Sequence, residues 1–227
     1  MDKYEEINKN TSSQYLIHNP KYPDDRVVAH VIRFLRSSTV QPSNLTAIDI
    51  GCGVGRHVKL LDDLNFDAYG IDYADNVATV VTQQFPSIKP DNIYHGDYRN
   101  YNFSKKFDLI LMWGTVFRCK KSQVIFNLLR LKELLNQNGQ LILNFRSKNN
   151  WFYGLGEKIE EDSYFIDERG KEYAGYIYSF FEKSEIDEMI QKCNLKVVEC
   201  EKVNLIREAH LSNQEHEWWI YRIQNSK

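Results

Sequence analysis

Three closely spaced glycines follow a short apolar stretch, and such residues can bring a ligand close to the main chain. Residues 45–50 are mostly apolar and end at Gly51, which predicts a buried strand, and apolar residues recur at helical spacing over residues 58–64. Gly53 and Gly55 complete the turn between the two. Glycine has no side chain to block a ligand, and the first turn of a helix has unpaired backbone N–H groups. The unit is either a plain strand-to-helix turn or a site for a nucleotide-type cofactor.

The spacing of the glycines distinguishes between cofactors. A dinucleotide-binding turn has the pattern G-x-G-x-x-G, and Arg56 occupies the position of its third glycine. The chain has the pattern D-x-G-x-G-x-G, which resembles motif I of the class I S-adenosylmethionine-dependent methyltransferases. The resemblance extends over about residues 23–223. It implies that S-adenosylmethionine is bound by the residues of this turn, Asp49, Gly51, Cys52, Gly53 and Gly55.

Acidic residues after the next strands offer hydrogen-bond acceptors for the same cofactor. Asp72 ends an apolar run that predicts the second strand, and a carboxylate there can accept hydrogen bonds from both ribose hydroxyls. An ordinary strand-end residue is the alternative. In the resembled family an acid after the third strand often binds the adenine amino group, and Asp97 and Tyr98 match that position. The resemblance adds Tyr73 and Trp113 to the cofactor site.

Alternating helical and strand patterns predict an α/β domain. Strands are predicted at residues 45–50, 66–72, 92–98, 107–113, 140–145, 195–205 and 217–223. Helices are predicted from Pro23, at residues 56–64, 75–85 and 122–135, and from Ser184. The resemblance implies one domain over residues 1–227 with a seven-stranded, mostly parallel Rossmann-like sheet and helices on both faces. It also implies that the last strand is antiparallel and lies between the fifth and the sixth.

Two segments fall outside this alternation. Residues 1–22 are polar with scattered aromatics and predict an N-terminal arm or flap from which Tyr15 could reach the substrate; a plain packing segment is the alternative. Residues 146–181 are rich in aromatic residues, and a connection of that length is usually functional or has its own structure. We expect a small lid after the fifth strand, with hairpin strands near residues 163–167 and 173–180, that brings Tyr178 to the substrate. An extension that packs on the core or forms a dimer contact is the alternative.

The histidines include the candidate general bases. Histidine is the commonest general base near neutral pH, and His210 and His216 lie in a segment, residues 207–216, that the resemblance places near the substrate. His18, His57 and His95 are weaker candidates. A packing or surface role is the alternative for each of them.

Three arginines are candidates for the substrate side of the site. Arg118 is a possible catalytic residue because it lies in the loop after the fourth strand, beyond which substrates of such sheets bind. Arg118, Arg146 and Arg207 could also hold an anionic substrate through paired hydrogen bonds. Solvated surface charge is the alternative.

The composition argues against several classes of protein. The 227 residues are 42% hydrophobic and 26% charged, as in a globular chain large enough for one α/β domain. The net charge of −2 disfavours a large nucleic-acid partner. No apolar run has the length of a membrane helix, and the first residues do not resemble a secretion signal. The four cysteines have no zinc-like spacing, so we expect reduced thiols in a cytoplasmic protein without a bound metal.

These observations lead to a hypothesis of methyl transfer to a small molecule. We expect an S-adenosylmethionine-dependent enzyme that methylates an oxygen, or a nitrogen, of a sugar or phosphorylated metabolite; a homodimer is compatible with the sequence. Residues 113–119 lack the (N/D/S)-P-P-(Y/F) motif of DNA amino-methyltransferases, which disfavours base methylation of that type. Methylation of RNA or protein stays open. Two other classes, a nicotinamide-dependent oxidoreductase or epimerase and a non-catalytic partner subunit, also stay open.

Overall fold

The structure, a computed structural model, describes residues 20–209 and 212–225. Within these residues it contains five α-helices and ten strands. The helices are α1 (Asp25–Ser37), α2 (Arg56–Asp63), α3 (Val77–Gln84), α4 (Lys121–Leu134) and α5 (Lys183–Lys192). The strands are β1 (Thr46–Ile50), β2 (Asp67–Asp72), β3 (Ile93–His95), β4 (Phe107–Met112), β5 (Leu135–Ser147), β6 (Glu157–Glu160), β7 (Ser163–Phe165), β8 (Ile177–Phe181), β9 (Leu195–Ala209) and β10 (Ser212–Asn225).

Seven of the strands form the main sheet, in the order β3-β2-β1-β4-β5-β10-β9. The first five are parallel neighbours, whereas β10 is antiparallel to both β5 and β9. The predicted α/β class, the mostly parallel sheet and the position of the last strand are therefore confirmed. The predicted count of seven strands is too low, because the described residues also contain β6, β7 and β8.

Helices cover both faces of this sheet. Successive side chains of a strand point to opposite faces. On one face, Ile48 and Ile110 belong to the same buried cluster as residues of α4 and α5. On the other face, Ala47 and Leu109 pack with residues of α1, α2 and α3. Burial on both faces accounts for the nearly continuous apolar character of β1 and β4.

Two strand boundaries differ from the prediction in ways that matter for function. β3 ends at His95, so Asp97 and Tyr98 lie in the turn after it rather than in the strand. β5 continues to Ser147, which makes Arg146 a strand residue rather than the first residue of the insertion. Arg146 is therefore held by the sheet.

The end of the chain also differs from the prediction. β9 and β10 pair from Leu195 opposite Asn225 to Ala209 opposite Ser212. The predicted joining segment, residues 207–216, is mostly a hairpin of paired strands. His216 is consequently a strand residue, opposite Leu205, and not part of a loop at the substrate.

The insertion between β5 and α5 has its own secondary structure. β6 pairs with β7 and β7 with β8, both antiparallel, which confirms strands near the two predicted positions. The buried carboxylate of Asp162 joins this segment to its surroundings: Lys121 Nζ and Lys148 Nζ lie 2.6 and 2.8 Å from it, and the Tyr153 hydroxyl donates to it over 2.7 Å. The opening of this segment as a lid and its role as a dimer contact stay predictions.

Two negative findings concern the described ranges alone. Over residues 20–209 and 212–225, no helix combines the length and apolar character needed to cross a bilayer. Nor is any group of three or more His, Cys, Asp or Glu in these ranges arranged to hold a metal ion. Most of the predicted N-terminal arm, residues 1–19, lies outside the described residues.

Candidate functional site

A cavity of about 1080 Å³ lies at the carboxyl ends of the parallel strands. The glycine turn, the ends of β2 and β4, the loop after β4 and the insertion all contribute to its wall. The wall includes seven predicted cofactor residues: Gly51, Cys52, Gly53, Asp72, Tyr73, Tyr98 and Trp113. It also includes three residues predicted to act on the substrate: Arg118, Arg146 and Tyr178. The fold thus brings the two halves of the predicted site together.

The glycine turn has a backbone conformation and close contacts that a side chain would disturb. Gly51 has a φ of +77°, and a Cβ atom there would lie 2.6 Å from Oγ1 of Thr115. The N–H groups of Gly51 and Cys52 both donate to the carbonyl of Ile71, over 2.8 and 3.1 Å. These bonds tie the turn to β2 and leave its outer surface facing the cavity.

Asp72 lies at the carboxyl end of β2 with its carboxylate in the cavity wall. Its two oxygens accept hydrogen bonds from the backbone N–H groups of Gly53, over 2.8 Å, and Ala74, over 3.1 Å. Burial raises the pKa of this carboxyl, and the N–H donors oppose the rise because they favour the carboxylate. A carboxylate has about four acceptor positions, so the backbone donors leave room for a hydroxyl group of a ligand.

Asp97 binds a neighbouring arginine and does not line the cavity. Arg99 Nε lies 3.0 Å from both carboxylate oxygens, and Nη2 lies 2.7 Å from one of them. Burial disfavours the carboxylate, but the hydrogen bonds from Arg99 outweigh it and lower the pKa of Asp97. Arg99 also donates to the Tyr73 hydroxyl over 3.0 Å, and both of these residues line the cavity. Asp97 therefore positions the wall from behind, and its contact with adenine stays a prediction.

Asp49, the acid of the glycine motif, is also behind the wall and only 2% exposed. Its carboxylate lies 3.6 Å from Nδ1 of His57, whose Nε2 accepts a 3.3 Å hydrogen bond from the N–H of Asp24. Asp24 caps α1 and accepts a hydrogen bond from the indole of Trp113 over 3.2 Å. Asp24 was not among the predicted site residues, although its sequence signal, an acid at the start of a helix, is present. His57 lines the cavity, and both of its ring nitrogens lie near protein partners; its role as a base stays a prediction.

Gly55 is the third predicted cofactor residue outside the wall. It has a φ of +83°, and a Cβ atom there would lie 2.7 Å from Cγ1 of Val81. This glycine allows the start of α2 to pack closely against α3.

The far side of the cavity consists of aromatic side chains around Arg146, which is 6% exposed. Its guanidinium carbon lies 4.6–5.5 Å from the centres of five rings, those of Phe117, Phe152, Tyr173, Tyr178 and Trp218. Burial lowers the pKa of Arg146, and the charge of Arg118 adds to this effect. Arg118 itself lies 4.9 Å from the centre of the Tyr176 ring.

The loop after β4 connects the two sides of the cavity. The N–H of Gly114 donates to Oδ1 of Asn144, on β5, over 2.7 Å. The carbonyl of Phe117 accepts hydrogen bonds from the N–H and the hydroxyl of Ser179, over 2.9 and 3.1 Å. The loop is thus held between the sheet and the insertion.

His216, predicted as a base, is 1% exposed and is not part of the cavity wall. Its ring stacks on that of Trp218, with centres 5.6 Å apart, and lies 6.0 Å from that of Tyr173. These two aromatic residues separate it from the cavity. His95 is exposed and 3.1 Å from Asp75. The structure thus does not bring His95 to the site, and a catalytic role of His216 stays a prediction.

Four other predicted residues cannot be placed. His210, Tyr15 and His18 lie outside the described residues. The backbone of Arg207 belongs to β9, but its side chain lies outside the description. Their roles stay predictions.

Comparison with protein families identifies the class of the chain. A family described as "Methyltransferase domain" matches residues 22–200, and the chain belongs to this family. A search of curated protein sequences finds no significant match.

Solved structures of other methyltransferases share the fold. 1,6-Didemethyltoxoflavin-N1-methyltransferase of Burkholderia thailandensis is 13% identical, with a TM-score of 0.71 over 99% of this chain and 90% of that one. Magnesium protoporphyrin IX methyltransferase of Synechocystis PCC 6803 is 15% identical, with a TM-score of 0.67 over 99% and 100%. An S-adenosylmethionine-dependent methyltransferase of Methanosarcina mazei is 15% identical, with a TM-score of 0.68 over 84% and 96%. With the family match, the chain is an S-adenosylmethionine-dependent methyltransferase with the class I Rossmann-like fold.

Proposed function

We propose that the enzyme transfers the methyl group of S-adenosylmethionine to an oxygen, or a nitrogen, of a small molecule, with a sugar or phosphorylated metabolite as the acceptor class. One observation carries this proposal: a shared cavity joins the glycine turn and Asp72 to the aromatic side chains around Arg146. Its volume of about 1080 Å³ is near the upper end of the range for small-molecule sites. The cavity therefore has room for the cofactor and a small acceptor at the same time.

The residues at one end of the cavity fit the adenosyl cofactor. Gly51 lets the turn approach Thr115 closely, where a Cβ atom would clash, and Asp72 keeps acceptor positions for the ribose hydroxyls. Tyr73, Tyr98 and Trp113 supply flat surfaces for the rest of the nucleoside. When bound, the cofactor supplies an electrophilic methyl group on a positively charged sulfur. The protein aligns the acceptor with that group and excludes water.

The other end of the cavity fits a small acceptor. Rings of Tyr173, Tyr176 and Trp218, which are partly exposed in the cavity wall, can cover the apolar face of a sugar and keep water out. In the part of the chain that the structure describes, seven basic and four acidic residues line the cavity, although the chain as a whole carries a net charge of −2. This local excess of positive charge favours an anionic acceptor. By their names, two of the structural relatives act on small molecules, which supports the same class.

Isothermal titration calorimetry with S-adenosylhomocysteine tests the cofactor half of the proposal. The wild-type protein is expected to bind, and Asp72→Ala to bind at least about tenfold more weakly, because the ribose loses a charged acceptor. Asp67→Ala is the matched control, since it removes an exposed aspartate at the other end of β2. Absence of binding, or equal loss in both variants, contradicts the assignment.

Mass spectrometry tests the acceptor half. The enzyme is incubated with S-adenosylmethionine and either a panel of sugars and phosphorylated metabolites or total RNA and protein. Methylated small molecules are expected. Transfer confined to RNA or protein would contradict the proposed acceptor class.

A further inference from the structure

Arg146 is a buried cation in the cavity wall without a counter-ion among the side chains of residues 20–206 and 214–225. It is 6% exposed, and within those ranges its Nε and Nη1 atoms have no hydrogen-bond partner and no carboxylate forms an ion pair with it. The hydroxyls of Tyr178 and Tyr173 interact favourably with the guanidinium, but neutral groups do not balance its charge. The surrounding rings recover part of the cost of burial through cation–π contacts. A guanidinium does not lose its proton in a protein, so the rest of the free-energy cost of burying this charge remains when no ligand is bound.

A second buried arginine shows how the fold treats a structural guanidinium. Arg222, on β10, is 8% exposed. Its Nη2 lies 3.2 Å from a carboxylate oxygen of Glu199, and its Nη1 donates to Oε1 of Gln140 over 3.3 Å. Arg222 does not line the cavity, whereas Arg146 does. The Nε of Arg222 is unpartnered, like that of Arg146, but the charge of Arg222 is paired with a carboxylate. The guanidinium of Arg146, in the cavity wall, has no such pair among the described side chains.

The position of Arg146 relates it to the acceptor rather than to the cofactor. It follows Asn144 by two residues on β5, so both point to the same face, and both line the cavity. The rings packed on it come from the loop after β4, the insertion and β10, not from the glycine turn. The parallel rings of Phe152 and Tyr173, with centres 4.5 Å apart, stiffen this arrangement.

We propose that Arg146 is the anion-recognition residue of the acceptor site, and that the methyl acceptor carries a carboxylate or phosphoryl group that pairs with its guanidinium. This inference rests on the proposed function, because it assumes that the acceptor binds in the same cavity. The planar guanidinium presents two parallel N–H donors that match two oxygens of either group. Since the surrounding rings already hold the side chain, little ordering is required when the anion binds.

Binding of simple aromatic anions tests the inference directly. Benzoate, phenyl phosphate and the neutral analogue benzamide are titrated by NMR into wild-type protein, with and without S-adenosylhomocysteine. At least one of the anions is expected to bind roughly tenfold or more tightly than benzamide. Arg146→Gln should abolish this preference, and Arg222→Gln should keep it. Equal binding of anions and benzamide to the wild type, or an undiminished preference in Arg146→Gln, overturns the inference.

The cofactor titration keeps the two proposals separate. If S-adenosylhomocysteine fails to bind the wild-type protein, the proposed function fails, yet the preference for anions and its dependence on Arg146 are still measured in its absence. If S-adenosylhomocysteine binds and no anion preference is found, only the role of Arg146 fails.

Thermal unfolding of the free protein gives a second readout. Arg146→Met should raise the melting temperature, because it removes an uncompensated charge and keeps most of the volume. Arg222→Met should lower it, because it removes one of the cations paired with Glu199 and a hydrogen-bond donor to Gln140. Benzoate or phenyl phosphate should raise the melting temperature of the wild type and leave that of Arg146→Met unchanged. A lower melting temperature of Arg146→Met with an undiminished response to the anions would identify a purely structural residue and overturn the inference.

Discussion

The indole N–H of Trp113 donates a hydrogen bond to the carboxylate of Asp24 over 3.2 Å. This bond joins the end of β4 to the first turn of α1, and the N–H of Asp24 continues the connection to His57 and Asp49. The acid of the glycine motif therefore supports one wall of the cavity through a histidine. The side chain of Asp49 is not part of the cavity wall, and its contact with the cofactor stays a prediction.

Replacing Asp24 should weaken both the fold and the cofactor site. Asp24→Ala loses the cap of α1 and the acceptor for Trp113, with an expected cost of roughly 1–3 kcal/mol in the free energy of unfolding. Affinity for S-adenosylhomocysteine should fall as well, because the start of α1 and Trp113 both line the cavity. Urea unfolding and calorimetry measure the two effects. Asp25→Ala, one residue later and exposed, is the control for the unfolding measurement; equal losses of stability in the two variants would show that the cap and the Trp113 contact are unimportant.

Gly51→Ala should be more harmful than the same change at a glycine in open space. The new Cβ would lie 2.6 Å from Oγ1 of Thr115, in addition to the cost of a positive φ. Gly154→Ala is the matched control, because Gly154 has a φ of +79° with nothing within 4 Å of its Cβ position. We expect Gly154→Ala to cost about 1 kcal/mol and Gly51→Ala clearly more, with weaker binding of S-adenosylhomocysteine in Gly51→Ala alone. Similar results for both variants would contradict the close approach seen at Gly51.

Asp162 should make the stability of the protein depend on acid pH. Burial disfavours its carboxylate, but Lys121, Lys148 and Tyr153 outweigh burial and lower the pKa of Asp162 to about 2. An unfolded aspartate has a pKa of about 3.9, so the stabilisation is fully present above that pH and is lost as pH falls towards about 2. Urea unfolding from neutral to acid pH should show a smaller decrease in stability for Asp162→Asn than for the wild type.

The exposed ion pair of Asp167 with Arg169, also in the insertion, provides the control for Asp162. Asp167→Asn should change the free energy of unfolding at neutral pH far less than Asp162→Asn, which should cost about 2 kcal/mol or more. If both variants cost equally little, Asp162 does not anchor the insertion.

His30 should make the stability of the protein depend on pH in a range closer to neutral than that of Asp162. It lies on the buried face of α1, with Glu199 and Glu201 3.7 and 3.3 Å from its ring nitrogens. Burial and the charge of Arg33 lower the pKa of His30 below 6.5, and the glutamates only partly oppose this. Its contribution to stability is therefore present above about pH 6.5 and lost as pH falls, because the unfolded chain binds the proton more readily. His30→Gln should reduce the loss of stability as pH falls from 7 to about 5. If the wild type instead becomes more stable as pH falls over this range, the glutamates dominate the pKa of His30.

The sequence predicted the parts of the site that depend on local pattern. Gly51 and Asp72 follow apolar runs, and parallel strands bring their carboxyl ends to one edge, so the short motif was sufficient to place both residues. Asp97 shows the limit of this approach, because its interaction with Arg99 is decided by side-chain geometry. The surroundings of Arg146 could not be predicted, since their rings come from separate segments of the chain. His216 was placed in a loop because pairing between β9 and β10 extends beyond the apolar pattern.

A crystal structure of the complex with S-adenosylhomocysteine tests the central assignment most directly. We expect electron density for the nucleoside against Gly51 and Gly53, with the ribose hydroxyls within hydrogen-bond distance of the Asp72 carboxylate and the sulfur directed to the side of the cavity that holds Arg146. Density for the nucleoside elsewhere, or a ribose without contact to Asp72, would contradict it.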